Sequence, residues 1–234
     1  MALIRRNERV GEDIFLLELE GKFQGRPGQF FMIKVNDHYP LLPRPISIHE
    51  ITEDSIKFLF KASGEGTNIL SRKCQGDTIH LRGPYGNGFP PVKGKIALVG
   101  GGIGAAPLYE TGKRLLQQPE ITTVDLFLGF TNKRVLGDKW EKVSSSFFYD
   151  IGGAVTNLVP VSNYDVIFTC GPDIMMKKMT AKGKENGVSV YVSIESRMAC
   201  GIGACLACTC HTKNGNKKVC KEGPVFLGEE IYGG

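Results

Sequence analysis

Residues 96–105 carry the sequence IALVGGGIGA, a short apolar run followed at once by a glycine cluster. The apolar run predicts a buried strand. A helical pattern then covers 106–117, and a second apolar stretch covers 124–128. A strand, a glycine turn, a helix and a strand make a βαβ unit whose turn lets a dinucleotide approach the backbone. A ligand-free strand-to-helix turn is the alternative. The candidate nucleotide contacts are Gly100, Gly101, Gly102 and Gly104.

A second nucleotide-binding segment is predicted further along the same sheet. Residues 166–169 form an apolar run that ends in Cys170-Gly171-Pro172. Open α/β sheets bind ligands at the carboxyl ends of their strands, which is where this tripeptide would lie. Cys170 on its own would be interpreted as a buried core thiol.

The first ninety residues have a different pattern. Short apolar or alternating stretches are separated by glycine and proline, which predicts strands and turns without long helices between them. Strands at this spacing indicate a small antiparallel barrel, and the pattern changes after Pro90-Pro91. The predicted strands are 14–19, 29–35, 46–51, 56–60 and 78–81.

Two short motifs in this barrel could hold a pyrophosphate. Arg44-Pro45-Ile46-Ser47 starts a predicted strand, where the guanidinium can pair bidentately with phosphate and the hydroxyl can bond a ring edge or ribityl chain. Gly66-Thr67 precedes a helical pattern at 68–72, and backbone N–H groups at a helix start favour anions. Each motif alone is more often structural.

Near the C-terminus, four cysteines have the spacing C-x4-C-x2-C, then eleven residues, then C. This is the spacing of a plant-type [2Fe-2S] cluster, and its ligands would be Cys200, Cys205, Cys208 and Cys220. A structural zinc site is the alternative, although zinc sites more often use two CxxC pairs. Cys210 is interpreted as a bystander, with an exchange of roles with Cys208 left open.

The composition is consistent with a cytoplasmic redox protein. The 234 residues include seven cysteines, five of them clustered, and 41% are hydrophobic. No apolar run approaches the length of a membrane span, and the N-terminus has no signal-peptide pattern. The net charge of +5 is spread along the chain, which gives nucleic-acid binding little support.

Together these motifs resemble the ferredoxin-NADP reductase superfamily. The strings ESRMACGIGACLAC at 195–208 and CKEGPVF at 220–226 are similar to the electron-transfer subunits of heteromeric, NAD-dependent dihydroorotate dehydrogenase of type 1B. Residues 83–89, GPYGNGF, match the family's GPLGNGF with Tyr85 in place of leucine. The resemblance spans the whole chain.

The resemblance implies an antiparallel flavin-binding β-barrel at 1–92, a parallel-sheet α/β nucleotide-binding domain at 93–194, and a small [2Fe-2S] domain at 195–234. It implies FAD, the cluster and NAD(H) as cofactors, with ligation by the four cysteines. The implied FAD contacts are Arg44, Pro45, Ile46, Ser47, Leu59, Phe60, Lys61, Gly66 and Thr67.

As implied by the family, the chain would relay electrons in pyrimidine biosynthesis. Its partner would be an FMN-containing catalytic subunit that oxidises dihydroorotate, in a heterotetramer of two plus two. Residues 149–156 are shorter than the family's segment, and 131–134 could tolerate a 2′-phosphate, so the choice between NAD and NADP stays open. Alternative functions are a subunit of another complex, of ferredoxin-NADP oxidoreductase or sulfhydrogenase type, and a non-catalytic metal-stabilised module.

Overall fold

The computed structural model describes residues 1–36 and 38–233. Its N-terminal part consists of seven strands and one short helix. In chain order these are β1 Ala2–Arg9, β2 Ile14–Glu20, β3 Phe30–Lys34, β4 Arg44–Ser47, β5 Glu50–Ile51, β6 Ser55–Lys61, α1 Glu65–Ser71 and β7 Thr78–Tyr85.

The seven strands form one antiparallel sheet that curls into a barrel. Their order is β4-β3-β7-β1-β2-β6-β5, so the two outermost strands are β4 and β5. Because only Ile48 and His49 separate these strands in the chain, the sheet must bend until its two edges meet. The interior is filled by alternate apolar side chains, among them Ile4, Leu17 and Phe58, none of which is exposed.

The following part of the chain alternates strands and helices. It comprises β8 Gly94–Gly101, α2 Ala106–Leu115, β9 Ile121–Phe130, β10 Ser146–Ile151, β11 Val166–Cys170, α3 Asp173–Glu185 and β12 Ser189–Ser193. The C-terminal part then adds β13 Thr209–Thr212, β14 Gly215–Lys218, α4 Val219–Glu222, β15 Val225–Leu227 and α5 Gly228–Tyr232.

A six-stranded sheet joins these two parts. The strand order is β10-β9-β8-β11-β12-β15, and the first five strands are parallel while β15 is antiparallel to β12. The order reverses at β8, since its two neighbours β9 and β11 both follow it in sequence. The carboxyl end of β8, with its glycine cluster, therefore lies at the switch point where such sheets bind ligands.

The predicted fold class is confirmed, with differences in detail. The second sheet is mixed because β15 comes from the C-terminal part. The strand predicted at 46–51 is two strands, since the chain turns at Ile48-His49 to close the barrel. The helix predicted at 68–72 begins at Glu65, and β1 and β10 were not predicted. Among the described residues, no helix is both long and apolar enough to cross a membrane.

A buried polar contact joins the barrel to α2. Glu110 is fully buried, and its Oε2 accepts a hydrogen bond from the backbone N–H of Ile51 at 3.0 Å while its Oε1 accepts one from Arg114 Nε at 2.6 Å. His49 Nδ1 lies 2.9 Å from the carbonyl oxygen of Ala106. The His49 ring also packs on Tyr109, with 4.7 Å between ring centroids. Barrel and sheet are thus held together through α2.

We expect His49 to make the protein less stable in acid. Burial lowers the pKa of His49 to about 4, so below pH 6.5 the unfolded chain binds a proton that the folded chain does not. The free energy of unfolding should therefore fall between pH 6.5 and 4, by about 3 kcal/mol from this group. Melting temperatures across this range should decline less steeply for His49→Gln than for the wild type.

The control for this experiment is His211→Gln, which removes an exposed histidine. Its pH dependence should follow that of the wild type. Equal slopes for the wild type and His49→Gln would contradict the prediction.

Candidate functional site

The largest concentration of predicted site residues lines a cavity of about 260 Å³ between the barrel, the carboxyl edge of the second sheet and the C-terminal part. It brings together residues that are far apart in the sequence. The predicted residues that line it are Arg44, Pro45, Ile46, Ser47, Leu59, Phe60, Lys61, Thr67, Gly104 and Cys170.

Gly66 does not line this cavity but gives Arg44 its position. A Cβ at Gly66 would lie 2.1 Å from Arg44 Nε, so only glycine lets the guanidinium lie against the first turn of α1. The guanidinium also donates to the carbonyl oxygen of Leu42. The Thr67 hydroxyl accepts hydrogen bonds from the backbone N–H groups of Ser63 and Gly64, each at 3.1 Å. A cation beside a helix start fits a pyrophosphate group.

A second cavity, of about 360 Å³, adjoins the first along the glycine cluster. It is lined by five of the residues that the sequence predicts to contact a nucleotide, namely Gly101, Gly102, Gly104, Gly171 and Pro172. The glycines are needed because the two loops nearly touch. A Cβ at Gly104 would lie 2.4 Å from the carbonyl oxygen of Cys170.

Gly100 is the exception among the predicted nucleotide contacts, because it lies beneath the turn and lines neither cavity. A Cβ there would meet Leu128 Cδ2 at 2.7 Å. Its role in the structure is close packing below the site.

The junction of the two cavities contains polar groups that the motifs did not reveal. Glu195 lines both cavities, and Ser193, which lines the first, lies opposite Cys170 in the β11–β12 ladder. Burial raises the pKa of Cys170 to about 12, so this thiol is neutral and is not a nucleophile. Desolvation by the surrounding residues also raises the pKa of the Glu195 carboxyl, although the residue is exposed at the mouth of this junction.

Glu195 could have been found from the sequence. It comes two residues after the end of β12, and the same carboxyl-end rule that selected Cys170 applies there. In the sequence this signal is masked, because the string from 195 onward is also the start of the cysteine motif.

The four predicted cysteine ligands lie in two pairs. Cys200 lies beside Cys205, and Cys220 lies beside Cys208, whose Sγ is 3.4 Å from the backbone N of Cys220. Backbone N–H groups also point at sulfur. Ile202 N lies 3.4 Å from Cys200 Sγ, and Gly203 N lies 3.0 Å from Cys220 Sγ. Within residues 1–36 and 38–233, no three His, Cys, Asp or Glu side chains converge as ligands of one ion.

The donor set fits a binuclear cluster, in which each iron takes two protein ligands. Backbone amides, first that of Ile202, lower the pKa of Cys200 and so favour its thiolate. Burial raises the pKa of Cys220, but a coordinated thiol is deprotonated by its metal. Cys210 lies in β13 and is half-buried against an apolar cluster that also contains Cys208 and Cys220. Burial, and to a smaller extent the neighbouring Cys208, raise the pKa of the Cys210 thiol.

The barrel segment 83–89 holds the cysteine loop in place. Asn87 donates from its backbone N–H to the carbonyl oxygen of Gly223 at 2.7 Å, and from its side chain to that of Glu222 at 2.9 Å. A Cβ at Gly201 would lie 3.3 Å from the Tyr85 ring, which in turn packs on Phe30 at a centroid distance of 6.0 Å. Phe30 lines the first cavity, so the cysteine loop and that cavity are neighbours.

The outer side of the cysteine loop is exposed and apolar. Ile202 is 59% exposed and Leu206 is 63% exposed, and Cys205 between them is also exposed. More than half of each of these two apolar residues is therefore accessible to a partner.

Comparisons with known proteins agree with this arrangement. Residues 195–232 match the model of the iron-sulfur cluster binding domain of dihydroorotate dehydrogenase B. The dihydroorotate dehydrogenase B (NAD(+)) electron transfer subunit of Clostridium acetobutylicum is 42% identical, over 97% of this chain and 95% of that protein. The chain belongs to this family. The corresponding subunit of Clostridium perfringens is 40% identical, over 97% of this chain and 96% of that protein.

The fold also matches a solved structure. A chain of an NADH-dependent reduced ferredoxin-NADP oxidoreductase, studied for flavin-based electron bifurcation, is 30% identical with a TM-score of 0.88. The match covers 99% of this chain and 89% of that chain. Like these electron transfer subunits, the chain has an iron-sulfur binding domain and the fold of the ferredoxin-NADP reductase superfamily. The predicted family resemblance is confirmed.

Single cysteine replacements should distinguish the four proposed cluster ligands from Cys210. We expect Cys205→Ser to remove the iron-sulfur absorbance, because it deletes one thiolate of a pair. Cys210→Ser should retain that absorbance and the bound iron. Visible spectra and iron analysis of the purified variants measure both effects. Loss of iron from Cys210→Ser, with iron retained in Cys205→Ser, would show that the ligand assignment is wrong.

Proposed function

We propose that the chain relays electrons between NAD(H) and an FMN-containing dihydroorotate dehydrogenase catalytic subunit, through FAD and a [2Fe-2S] cluster. The observation that carries the proposal is that one cavity borders both other sites. Gly104 and Cys170 line it on the nucleotide side, while Met198 and Pro224 line it next to the cysteine loop. A carrier in this cavity would lie between the nucleotide and the cluster.

FAD is proposed for this cavity because the barrel offers a site for a pyrophosphate. Arg44 provides the positive charge, and Gly66 leaves room for it against α1. FMN has a single phosphate and would leave part of this site unused. A flavin accepts two electrons from nicotinamide as a hydride and passes single electrons to an iron-sulfur centre.

The residues of this chain would bind, orient and shield the reacting groups. The turns at 101–104 and 171–172 would hold the nucleotide, since their glycines leave the backbone open to it. Buried Cys170 would provide a neutral, apolar wall that excludes water. Glu195, at the junction of the two cavities, would hold or release a proton there.

A [2Fe-2S] cluster is proposed for the four cysteines because their sulfurs form two pairs. Cys200 and Cys205 would ligate one iron, and Cys208 and Cys220 the other. The backbone N–H groups directed at Cys200 and Cys220 would stabilise the negative charge of such a centre. A single zinc ion would instead need the sulfurs around one point.

The partner would dock where the cluster is nearest the surface. Ile202 and Leu206 flank Cys205 on the exposed side of the loop, and a catalytic subunit covering them would bring its flavin close to the cluster. The relatives are electron transfer subunits of dihydroorotate dehydrogenase B, which supports a catalytic subunit of that enzyme as the partner. A heterotetramer of two plus two and a cytoplasmic role in pyrimidine biosynthesis are further parts of this proposal.

A second candidate function has one specific observation in its favour. The oxidoreductase matched at 30% identity shares nearly the whole chain length, and its name gives reduced ferredoxin and NADP as its reactants. The relay chemistry within this chain would be the same. Only the partner subunit and its substrate would differ.

We expect Arg44→Ala to lose flavin. The substitution removes a charge-assisted contact to the pyrophosphate worth about 1.5–3 kcal/mol, so FAD should bind roughly 10 to 100 times more weakly. Titration of the flavin-stripped protein with FAD measures the change. The matched control is Arg72→Ala, at the other end of α1 and away from the cavity. Unchanged FAD affinity in Arg44→Ala, or recovery of FMN alone from the wild type, would refute the assignment.

The complete relay can be tested with and without its partner. The isolated chain should oxidise NADH with artificial acceptors and show no activity toward dihydroorotate, because the motifs found in the sequence serve the nucleotide, the flavin and the cluster and include none for dihydroorotate. Coexpression with an FMN-containing catalytic subunit should give a complex that reduces NAD with dihydroorotate. Leu206→Glu should weaken this complex in size-exclusion chromatography while leaving NADH oxidation by the isolated chain intact. A stable complex that uses another substrate would support the second candidate.

A further inference from the structure

The loop that follows β9 occupies the position where nucleotide-binding sheets distinguish NAD from NADP. In such sheets an acidic side chain after the second strand bonds the ribose 2′-hydroxyl, or a nearby arginine accommodates a 2′-phosphate. This chain has Thr131, Asn132, Lys133 and Arg134 there. By composition alone, the loop would accept the phosphate.

The structure shows that Arg134 is already engaged. Its Nη2 donates to Asp138 Oδ1 at 2.5 Å. Its guanidinium carbon lies 5.0 Å from the centroid of the Tyr149 ring and 5.7 Å from that of Phe147. An exposed ion pair contributes little by itself, but two aromatic rings add cation–π attraction and fix the direction of the side chain.

Asn132 is engaged as well, by a residue of the barrel. Its Nδ2 donates to Glu12 Oε2 at 3.0 Å, across the boundary between barrel and sheet. Glu12 lies in the turn between β1 and β2, and the same turn packs on the loop, since a Cβ at Gly11 would meet Val135 at 3.3 Å. The hydrogen bonds of Asn132 to Glu12 and of Arg134 to Asp138 each bring a carboxylate to the loop.

We propose that Asp138 and Glu12 make this loop select a nucleotide without a 2′-phosphate, by occupying Arg134 and Asn132. The inference rests on the proposed nucleotide site. A 2′-phosphate would meet two carboxylates and would have to detach Arg134 from Asp138 and its rings. A ribose hydroxyl carries no charge and can donate to a carboxylate oxygen. NAD(H) would therefore bind without repulsion by the two carboxylates and without displacing Arg134 from Asp138.

The test compares two fragments that differ only in the 2′ group, 5′-ADP and 2′,5′-ADP, by isothermal titration calorimetry. Asp138→Asn frees Arg134 and removes one carboxylate, so it should raise the affinity for 2′,5′-ADP several-fold, up to about tenfold. Its affinity for 5′-ADP should stay constant. In the flavin-loaded protein, kcat/KM for NADPH should rise in the same direction.

Two further variants show whether Arg134 carries the effect. The double variant Asp138→Asn/Arg134→Ala should lose the gain for 2′,5′-ADP. Glu141→Gln removes another exposed carboxylate from the same turn of chain and should leave both affinities unchanged. Because the Asp138 side chain is 79% exposed, its replacement should not disturb folding.

The outcomes separate this inference from the proposed function. NADH oxidation with an unchanged ratio of the two ADP affinities in Asp138→Asn would overturn the inference alone. A gain that persists in the double variant would also overturn it, because charge removal rather than Arg134 would then be the cause. Absence of binding by either fragment to the wild type would overturn the nucleotide site itself and the inference with it.

Discussion

The buried carboxylate of Glu110 is the contact on which the placement of both cavities depends. It belongs to α2 yet accepts a hydrogen bond from the barrel backbone at Ile51, and it is neutralised by Arg114 on its own helix. Leaving such a buried charge without its partners costs about 3–5 kcal/mol, so separation of α2 from the barrel is strongly unfavourable. The first turn of α2 supplies Ala106 and Pro107 to the first cavity, for which FAD is proposed. The same interaction that joins the domains thus shapes the site between them.

The second constraint is the close approach of separate parts of the chain. At three positions this approach requires glycine, because a Cβ there would lie too close to the neighbouring group. Gly66 admits Arg44, Gly104 admits the backbone of β11, and Gly201 admits Tyr85. An alanine at any of them would place a Cβ too close to its neighbour, so the two parts of the chain would have to move apart.

The sequence allowed the fold class and most of the site to be predicted, because glycine turns and cysteine spacing are local signals. The sequence predicts a continuous strand at 46–51 because no glycine or proline interrupts it, whereas barrel closure turns the chain at Ile48-His49. The pattern of β1 is hidden because residues 5–9 are a run of charged and polar residues without apolar alternation. The positions of Glu12 and Asp138 around 131–134 could not be predicted, since they depend on how the barrel turn packs against the sheet.

The pairing of β15 with β12 has a consequence for how electrons would travel. The segment that carries the cysteines ends as a strand of the nucleotide sheet, with Val192 opposite Phe226 in the ladder. Many redox proteins move a tethered carrier domain between donor and acceptor, and their rates then depend on diffusion. Here the proposed cluster domain would be fixed to the nucleotide sheet through β15. Electron transfer would then need no domain movement, and solvent viscosity would have little influence on its rate.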